Sequence, residues 1–193
     1  MKFILASKSP RRRELLKNIG MNFEVVESAV DESAVDKDLK PELYVQELAM
    51  LKSSSVASRV GEDCIVIGAD TVVVFKNKII GKPKDYDDAF SMLKSFSGSF
   101  HSVYTGISLS DGKSGKTVTD YCKTDVYFAE MSDFEISKYI DTYKPYDKAG
   151  AYGIQEYAGV FTDKIDGDYF NVVGLPVSKL YGLLKKSLKY LFK

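Results

Sequence analysis

Hydrophobic and polar residues follow two different patterns along the 193 residues of this chain, and each pattern predicts a different secondary structure. Short apolar or alternating runs predict strands over residues 2–5, 23–26, 64–69, 71–75, 78–80, 103–107 and 121–128. Apolar positions three or four residues apart predict helices over residues 10–19, 41–59, 85–96, 132–143 and from Val177 onward. This order predicts an α/β or α+β protein in which helices flank a mixed sheet.

Cap and turn residues support several of these boundaries. Ser9 and Pro10 are typical of the N-cap and the first position of a helix, and Gly20 is typical of its end. Asp111-Gly112 predicts the turn between two long antiparallel strands. The final helix carries an apolar stripe, which predicts packing on the sheet rather than a membrane-active face. The members of this stripe are Leu180, Leu183, Leu184, Leu188 and Leu191.

The composition excludes several classes of protein. Lysine plus arginine and aspartate plus glutamate number 27 each, so no net charge attracts an anionic membrane, and no stable nucleic-acid complex is expected. The sequence lacks the run of about 18 apolar residues that a membrane-spanning helix requires. Its start does not resemble a secretory signal, so we expect a cytoplasmic protein.

Few residues are available for nucleophilic or zinc chemistry. His101 is the single histidine, and the two cysteines, Cys64 and Cys122, lie far apart in the sequence. A zinc site, a disulfide scaffold and a serine–histidine–aspartate hydrolase are therefore not expected. His101 itself is expected to be a strand residue with a satisfied hydrogen bond. The chemistry of this chain should depend on carboxylates, lysines and arginines.

The first candidate site is the basic turn between the first strand and the first helix, Ser7-Lys8-Ser9-Pro10-Arg11-Arg12-Arg13. Its three arginines repel one another and oppose the helix dipole, which disfavours cations at that end. A phosphate bound to the backbone N–H groups and to the arginines would offset both effects. The alternatives are a solvated basic helix start and a patch that touches nucleic acid.

Asp70 follows the apolar run of residues 64–69. Ligand sites of α/β sheets gather at the carboxyl ends of strands, which is where this pattern places Asp70. A carboxylate there can bind magnesium or orient a water nucleophile. The alternative is an aspartate that only caps a turn.

Two polar turns provide further candidates. Residues 81–84, Gly-Lys-Pro-Lys, place Lys82 on a rigid turn where it can neutralise phosphate charge. Glu32 lies in an acidic loop and could join Asp70 at a magnesium ion, which needs one or two carboxylates when phosphates supply other ligands. The alternative for both turns is a solvated surface.

Residues 147–155 contain two glycines around a tyrosine and end in Gln155. The glycines allow the backbone to approach a flat or charged ligand closely. The Gln155 amide carries a donor and an acceptor, which match the N3–H and a carbonyl group of uracil or thymine. The alternative is a polar glutamine in a loop.

Together these segments resemble the Maf family of nucleotide pyrophosphatases, once known as septum-formation inhibitors. The matching segments lie in order over nearly the whole chain, at residues 4–16, 30–32, 67–73, 81–83, 97–98, 104–106, 147–155 and 171–176. A set of this length is far more specific than any single motif. Residues 99–100 and 167–170 depart from the usual family pattern.

The resemblance implies one domain, residues 1–193, with two lobes, an elongated mixed sheet and a central cleft. It implies hydrolysis of a nucleoside triphosphate substrate to the monophosphate and pyrophosphate, with Mg²⁺ or Mn²⁺ as cofactor. Asp70 matches the family's catalytic acid, the base expected to activate water. Arg12, Thr71 and Gln155 match positions that set substrate specificity. The dTTP/UTP branch carries Arg, Thr and Gln there, whereas the branch that acts on methylated guanosine triphosphate carries Trp, Gln and Glu.

These observations lead to a complete hypothesis. The proposed phosphate ligands are Ser9, Arg12, Arg13, Lys52 and Lys82, and the proposed metal ligands are Asp70 and Glu32. The expected substrates are dTTP, UTP or modified pyrimidine triphosphates removed as house-cleaning. The sequence leaves open whether the chain is a monomer or a homodimer. The alternative is a nucleotide- or nucleic-acid-binding regulator of cell division or septum formation without turnover.

Overall fold

The computed structural model describes residues 2–61 and 63–191. Its strands are β1 (Lys2–Leu5), β2 (Glu24–Val25), β3 (Cys64–Phe75), β4 (Lys78–Ile80), β5 (Phe100–Asp111), β6 (Thr117–Phe128) and β7 (Thr162–Asp166). Its α-helices are α1 (Pro10–Asn18), α2 (Pro41–Val60), α3 (Tyr86–Phe96), α4 (Asp133–Tyr143), α5 (Tyr169–Val173) and α6 (Val177–Leu191). Short 3-10 helices cover Glu32–Ala34, Ala149–Ala151 and Tyr157–Phe161.

Seven strands of the described residues form one sheet in the order β2-β1-β3-β5-β6-β7, with β4 paired to β3. β1 pairs in parallel with β2 and β3, whereas the β3–β4 and β6–β7 pairs are antiparallel. Helices α1 and α2 lie in the connections between the parallel strands, as such connections require. The predicted mixed sheet with flanking helices is therefore confirmed.

The chain folds into two compact units. Unit 1 contains the described residues of Met1–Asp70, Thr105–Cys122 and Gly174–Lys193. Unit 2 contains Thr71–Tyr104 and Lys123–Val173. The single domain with two lobes and a central cleft, which the family resemblance implies, stays a prediction.

In unit 1, helix α2 lies very close to the sheet. A Cβ atom on Gly68 of β3 would lie 2.2 Å from the carbonyl oxygen of Ala49, and one on Gly106 of β5 would lie 2.1 Å from that of Val45. Residues with a side chain cannot occupy such positions without moving the helix. The two glycines therefore fix the height of α2 above the sheet and, with it, the position of every side chain on the buried face of α2.

Polar and apolar contacts both hold α2 in place. The hydroxyl group of Ser53 lies 2.8 Å from the hydroxyl groups of Ser108 and Ser110 on β5, and all three serines are buried. An apolar cluster packs the rest of the helix against the parallel strands, and it consists of Ile4, Ala6, Val56, Ala57, Cys64 and Val66. Cys64 is a buried cysteine within this cluster.

Unit 2 has an aromatic core around His101. The His101 ring stacks on Phe96 with ring centroids 4.4 Å apart, and its Nε2 atom lies 2.7 Å from the hydroxyl group of Tyr152. Burial lowers the pKa of His101 to about 3, while the charge of Asp125 acts weakly in the opposite direction. His101 is therefore a neutral core residue with a hydrogen-bond partner, as the sequence predicts.

The structure differs from the predicted elements at β3. The sequence predicts two strands separated at Asp70, but β3 runs without interruption from Cys64 to Phe75. The predicted strand end at Asp70 is wrong because a buried carboxylate can remain inside a strand when a cation from another element neutralises it.

Other differences concern strand length and short elements. β5 and β6 extend further than predicted, because polar residues that interrupt the apolar pattern are hydrogen-bonded in them. Ser108 and Ser110 of β5 are buried, and Ser110 bonds to the half-buried Thr117 of β6. The pattern does not predict β7 or α5. β7 is mostly exposed and is stabilised by pairing with β6, which no local signal reports.

Within the described ranges, none of the helices combines the length and the apolar character needed to cross a bilayer. Of the predicted stripe on α6, Leu180 and Leu184 are buried. The side chains of Leu188 and Leu191 lie outside the described part of the chain.

Candidate active site

The basic turn before α1 folds as predicted. Pro10 begins the helix, and the Ser9 hydroxyl group is the N-cap that accepts a hydrogen bond from the backbone N–H of Arg12 at 3.5 Å. The backbone N–H of Ser9 donates to the Ser7 hydroxyl group at 3.2 Å. A phosphate that contacts Ser9 would therefore share a hydroxyl group that also caps the helix.

Arg12 connects the start of α1 to two other segments of unit 1. Its Nε donates to the carbonyl oxygen of Gly174 at 2.8 Å, and its Nη1 donates to the carbonyl oxygen of Ala69 at 2.9 Å. Burial lowers the pKa of the Arg12 guanidinium, and the charge of Asp70 is the largest influence that raises this pKa. Arg12 is thus close enough to Asp70 for their charges to interact. It also donates a hydrogen bond to the backbone of Ala69, the residue before Asp70.

Arg13 lies on the same helix turn as Arg12. Its Nε atom is buried and has no hydrogen-bond partner among the described residues. A buried guanidinium donor of this kind is costly to leave unpaired. It is therefore a suitable contact for an anionic oxygen at the start of α1.

Three charged side chains of unit 1 meet at Lys52. The Lys52 Nζ atom lies 2.6 Å from Asp70 Oδ1 and 2.7 Å from Glu32 Oε1. The Lys52 side chain is 10% exposed and that of Asp70 is 13% exposed, whereas that of Glu32 is 58% exposed. The structure thus brings together three residues that the sequence places on a strand, a helix and a loop.

The position of Asp70 follows from the length of β1. β1 and β3 pair up to Leu5 and Ile67, and the backbone N–H of Ala6 donates to the Ile67 carbonyl oxygen at 2.8 Å. β1 then ends and the chain turns into α1, while β3 continues through Asp70. The sequence places the candidate ligand site at the carboxyl end of the strand that precedes Asp70. In the structure, the strand whose carboxyl end lies beside Asp70 is β1.

Tyr44 is a site residue that the sequence pattern did not reveal. It is buried on α2, and its pKa is raised by burial and by the negative charges of Asp70 and Glu32. Tyr44 lies eight positions before Lys52, so both side chains share the helix face that packs on the sheet. This spacing is the signal by which Tyr44 could have been found.

The remaining predicted residues, Thr71, Lys82 and Gln155, belong to unit 2. Thr71 is half-buried in β3, and Lys82 and Gln155 are exposed. The backbone N–H of Gly150 donates to the Gly81 carbonyl oxygen at 2.9 Å, which joins the loop that carries Lys82 to residues 147–155. Their roles toward a substrate stay predictions from the sequence.

Unit 2 also contains a buried lysine with two acidic partners. Lys148 is 8% exposed, and its Nζ atom lies 2.8 Å from Asp147 Oδ1 and 3.3 Å from Glu156 Oε1. The side chains of Asp147 and Glu156 are 62% and 36% exposed. Both carboxylates therefore remain in contact with water.

The order of the matched motifs and this site geometry agree with a known family. A family model described as Maf-like protein matches residues 2–187. This chain belongs to the Maf-like protein family. All nine predicted site residues lie within the matched range.

Curated relatives of this Maf-like chain match it over almost its whole length. The dTTP/UTP pyrophosphatase of Thermoanaerobacter sp. (strain X514) is 54% identical over 186 residues, 96% of this chain and 96% of the relative. The dTTP/UTP pyrophosphatase of Clostridium novyi (strain NT) is 53% identical over 181 residues, 94% of this chain and 95% of the relative. The solved Staphylococcus aureus Ham1 protein, at 15% identity and a TM-score of 0.47, covers 67% of this chain and 73% of its own, too little to add to the assignment.

Pyrophosphatases of this family generally depend on a divalent metal ion. Residues 2–61 and 63–191 contain no group of three or more His, Cys, Asp or Glu side chains that could hold one. Asp70 and Glu32 do supply two carboxylates that converge on one point, the Lys52 ammonium group. This donor set fits an ion that takes its other ligands from phosphate oxygens and water, as Mg²⁺ commonly does.

Proposed function

We propose that this Maf-like chain hydrolyses dTTP and UTP to the monophosphate and pyrophosphate. The observation that carries the proposal is the buried Asp70 carboxylate, which is held by Lys52 beside Glu32 and Arg12. Relatives that are 53% and 54% identical over nearly the full length carry the name dTTP/UTP pyrophosphatase, which supports the choice of substrate.

In the proposed mechanism Asp70 is the general base. It accepts a proton from the water molecule that attacks the α-phosphorus, and pyrophosphate then leaves. In the free protein, the hydrogen bond from Lys52 to Asp70 Oδ1 holds the carboxylate in place. The contact of Arg12 with the Ala69 carbonyl oxygen fixes the backbone next to it.

Cationic side chains at the start of α1 bind the phosphates in this proposal. Arg13 offers its buried Nε atom, and Ser9 offers the helix N-cap. Lys82 is also proposed as a phosphate ligand, from its place in the sequence. Asp70 and Glu32 would hold Mg²⁺ or Mn²⁺. The bound ion would neutralise negative charge on the phosphate oxygens. Lys52 is the further phosphate contact proposed from the sequence.

Base recognition is assigned to Gln155, with Arg12 and Thr71 as further specificity residues. The amide of Gln155 is exposed and carries the donor and the acceptor that the uracil or thymine edge requires. Modified pyrimidine triphosphates with the same edge belong to the proposed substrate class.

Product analysis tests the proposal directly. Purified protein is incubated with UTP, dTTP, CTP, ATP, GTP or a 5-substituted pyrimidine triphosphate, each with Mg²⁺ or Mn²⁺, and the products are separated by chromatography. We expect monophosphate and pyrophosphate from UTP, dTTP and the modified pyrimidine. Diphosphate and phosphate would contradict the bond position, and binding without turnover would favour the regulatory alternative.

A cytoplasmic location and a homodimer complete the proposal. The cytoplasmic location is supported by the proposed substrates, because free nucleoside triphosphates are found in the cytoplasm. Light scattering during size-exclusion chromatography tests the second, and a mass equal to one chain would contradict it.

A further inference from the structure

The Lys52 ammonium group occupies the point between the two carboxylates proposed to hold a metal ion. Its Nζ atom is 2.6 Å from Asp70 Oδ1 and 2.7 Å from Glu32 Oε1. These are hydrogen-bond distances to ionised groups. A divalent ion that used the same two oxygens would have to replace the ammonium group there.

The charges around this point are already balanced. Lys52 and Arg12 contribute two positive charges that match the two negative charges of Asp70 and Glu32, and Arg11 adds a further positive charge that acts on Arg12. Arg12 responds to both carboxylates, since the charges of Asp70 and Glu32 both raise the pKa of its guanidinium. A divalent ion added to this set without an anion would leave an excess of two positive charges in a partly buried site, where repulsion is screened weakly.

We infer that Lys52 holds the place of the divalent cation in the free protein and yields it when the ion arrives together with a nucleotide. The inference rests on the proposed metal-assisted hydrolysis. The triphosphate supplies the negative charge that the site lacks for a divalent ion, and it also supplies new oxygen partners for the displaced ammonium group. Lys52 thereby acts as a positioning residue that makes metal binding depend on substrate.

The exposure of the two carboxylates indicates how the exchange takes place. Asp70 comes from the middle of strand β3 and is 13% exposed, whereas Glu32 comes from a surface 3-10 helix and is 58% exposed. The Glu32 side of Lys52 is therefore the side that solvent reaches. An incoming ion meets Glu32 first, and the contact between Lys52 and Asp70 is the one that has to be broken last.

Manganese binding without nucleotide tests the inference. Free Mn²⁺ is measured by electron paramagnetic resonance during titration of the wild-type protein and of Lys52→Met, which removes the charge but keeps the length of the side chain. We expect Lys52→Met to bind one Mn²⁺ at least about ten-fold more tightly, because the competing cation is gone. Lys52→Gln gives the same readout if Lys52→Met does not fold.

Two matched variants locate any gain in affinity. The double variant Lys52→Met/Asp70→Asn should lose the gain, because one of the two carboxylates is no longer charged. Lys148→Met removes the other buried lysine with two acidic partners, and it should leave Mn²⁺ affinity within about two-fold of the wild type.

Three results would overturn the inference. They are equal Mn²⁺ affinity of the wild type and both Lys52 variants, a gain that survives Asp70→Asn, and an equal gain in Lys148→Met. All of these Mn²⁺ affinities can be measured without nucleotide hydrolysis. A protein that fails to hydrolyse UTP or dTTP but shows the expected Mn²⁺ pattern would contradict the proposed function and support the role of Lys52.

Discussion

Among the described residues, each unit buries one lysine against two acidic side chains, yet the surroundings of the two lysines differ. Lys52 in unit 1 contacts Asp70, whose side chain is 13% exposed. Lys148 in unit 2 contacts Asp147 and Glu156, which are 62% and 36% exposed. Loss of Lys52 would leave a carboxylate away from water, whereas loss of Lys148 would leave two carboxylates in water.

This difference separates a candidate site from a structural ion pair. A buried carboxylate is unstable without a cationic partner, so a second cation can take the place of the lysine beside it. The exposed carboxylates of Asp147 and Glu156 are stabilised by water, so they do not require a second cation in place of Lys148. The resemblance in residue types therefore hides a difference in chemistry that only burial reveals.

The largest expected effect is that of Asp70→Asn on turnover. The amide cannot accept the proton of the attacking water, so kcat for UTP should fall at least about 10³-fold, while the protein remains folded. Steady-state kinetics and circular dichroism measure the two properties. Asp147→Asn, the corresponding change at the unit 2 lysine, should keep most of the activity; similar losses in both variants would remove the distinction between the two pairs.

The second effect concerns stability. Lys52→Met should lower the free energy of unfolding by about 3 kcal/mol, because it leaves the Asp70 carboxylate buried without its partner. Lys148→Met should lower it by about 1 kcal/mol, because its acidic partners are exposed. Urea denaturation measures both values. Equal losses would show that burial of the carboxylate does not set the cost.

The third effect tests the aromatic core of unit 2. Burial lowers the pKa of His101 to about 3, so between that value and the unfolded value of about 6.5 the unfolded chain binds a proton that the folded chain does not. Stability should therefore fall as pH decreases through this window, by about 2 kcal/mol between pH 7 and pH 5. Urea denaturation at both pH values measures this loss.

A matched variant isolates the contribution of His101. His101→Phe keeps an aromatic ring against Phe96 but cannot titrate. Its stability should change less than that of the wild type over the same pH range. Identical pH dependence in the two proteins would show that His101 does not cause the loss.

The smallest expected effect concerns base selection. Gln155→Glu replaces the amide donor with a carboxylate, so the preference for UTP over CTP in kcat/KM should fall about ten-fold. Gln46→Glu changes the same residue type in unit 1, where Gln46 contacts Glu42 and Thr119, and it should leave the ratio unchanged. A ratio that stays constant in Gln155→Glu would exclude this glutamine from base recognition.

Much of the fold could be predicted from the sequence because the signals are local. The N-cap at Ser9, the proline at position 10 and the spacing of apolar residues predict α1 correctly, and comparable signals predict α2, α3 and α4. β7 and the full lengths of β5 and β6 could not be predicted. Their stability comes from pairing with distant strands and from buried hydroxyl groups that bond to one another.

The candidate site was predicted as a set of residues but not as an arrangement. The resemblance to the Maf family names Asp70 and Arg12, the mechanism hypothesis adds Lys52, and the family model confirms the family. It does not reveal that Arg12 bonds to the carbonyl oxygens of Ala69 and Gly174, or that Tyr44 lies within the influence of the acidic pair. The Arg12 contacts depend on the turn of the chain into α1 at the end of β1, and the position of Tyr44 depends on the packing of α2 on the sheet.

By itself, the sequence determined the helices with clear caps, the parallel strands with continuous apolar runs, and the family. The tertiary structure alone decided that Asp70 lies inside a strand, that Lys52 bridges it to Glu32, and that Lys148 has solvated partners instead. Capping and periodicity act over a few residues, so a reader of the chain can see them. The contacts of Lys52 with Asp70 and of Arg12 with Gly174 span 18 and 162 positions, and they exist only because glycines bring α2 onto the sheet and a strand end brings α1 beside it.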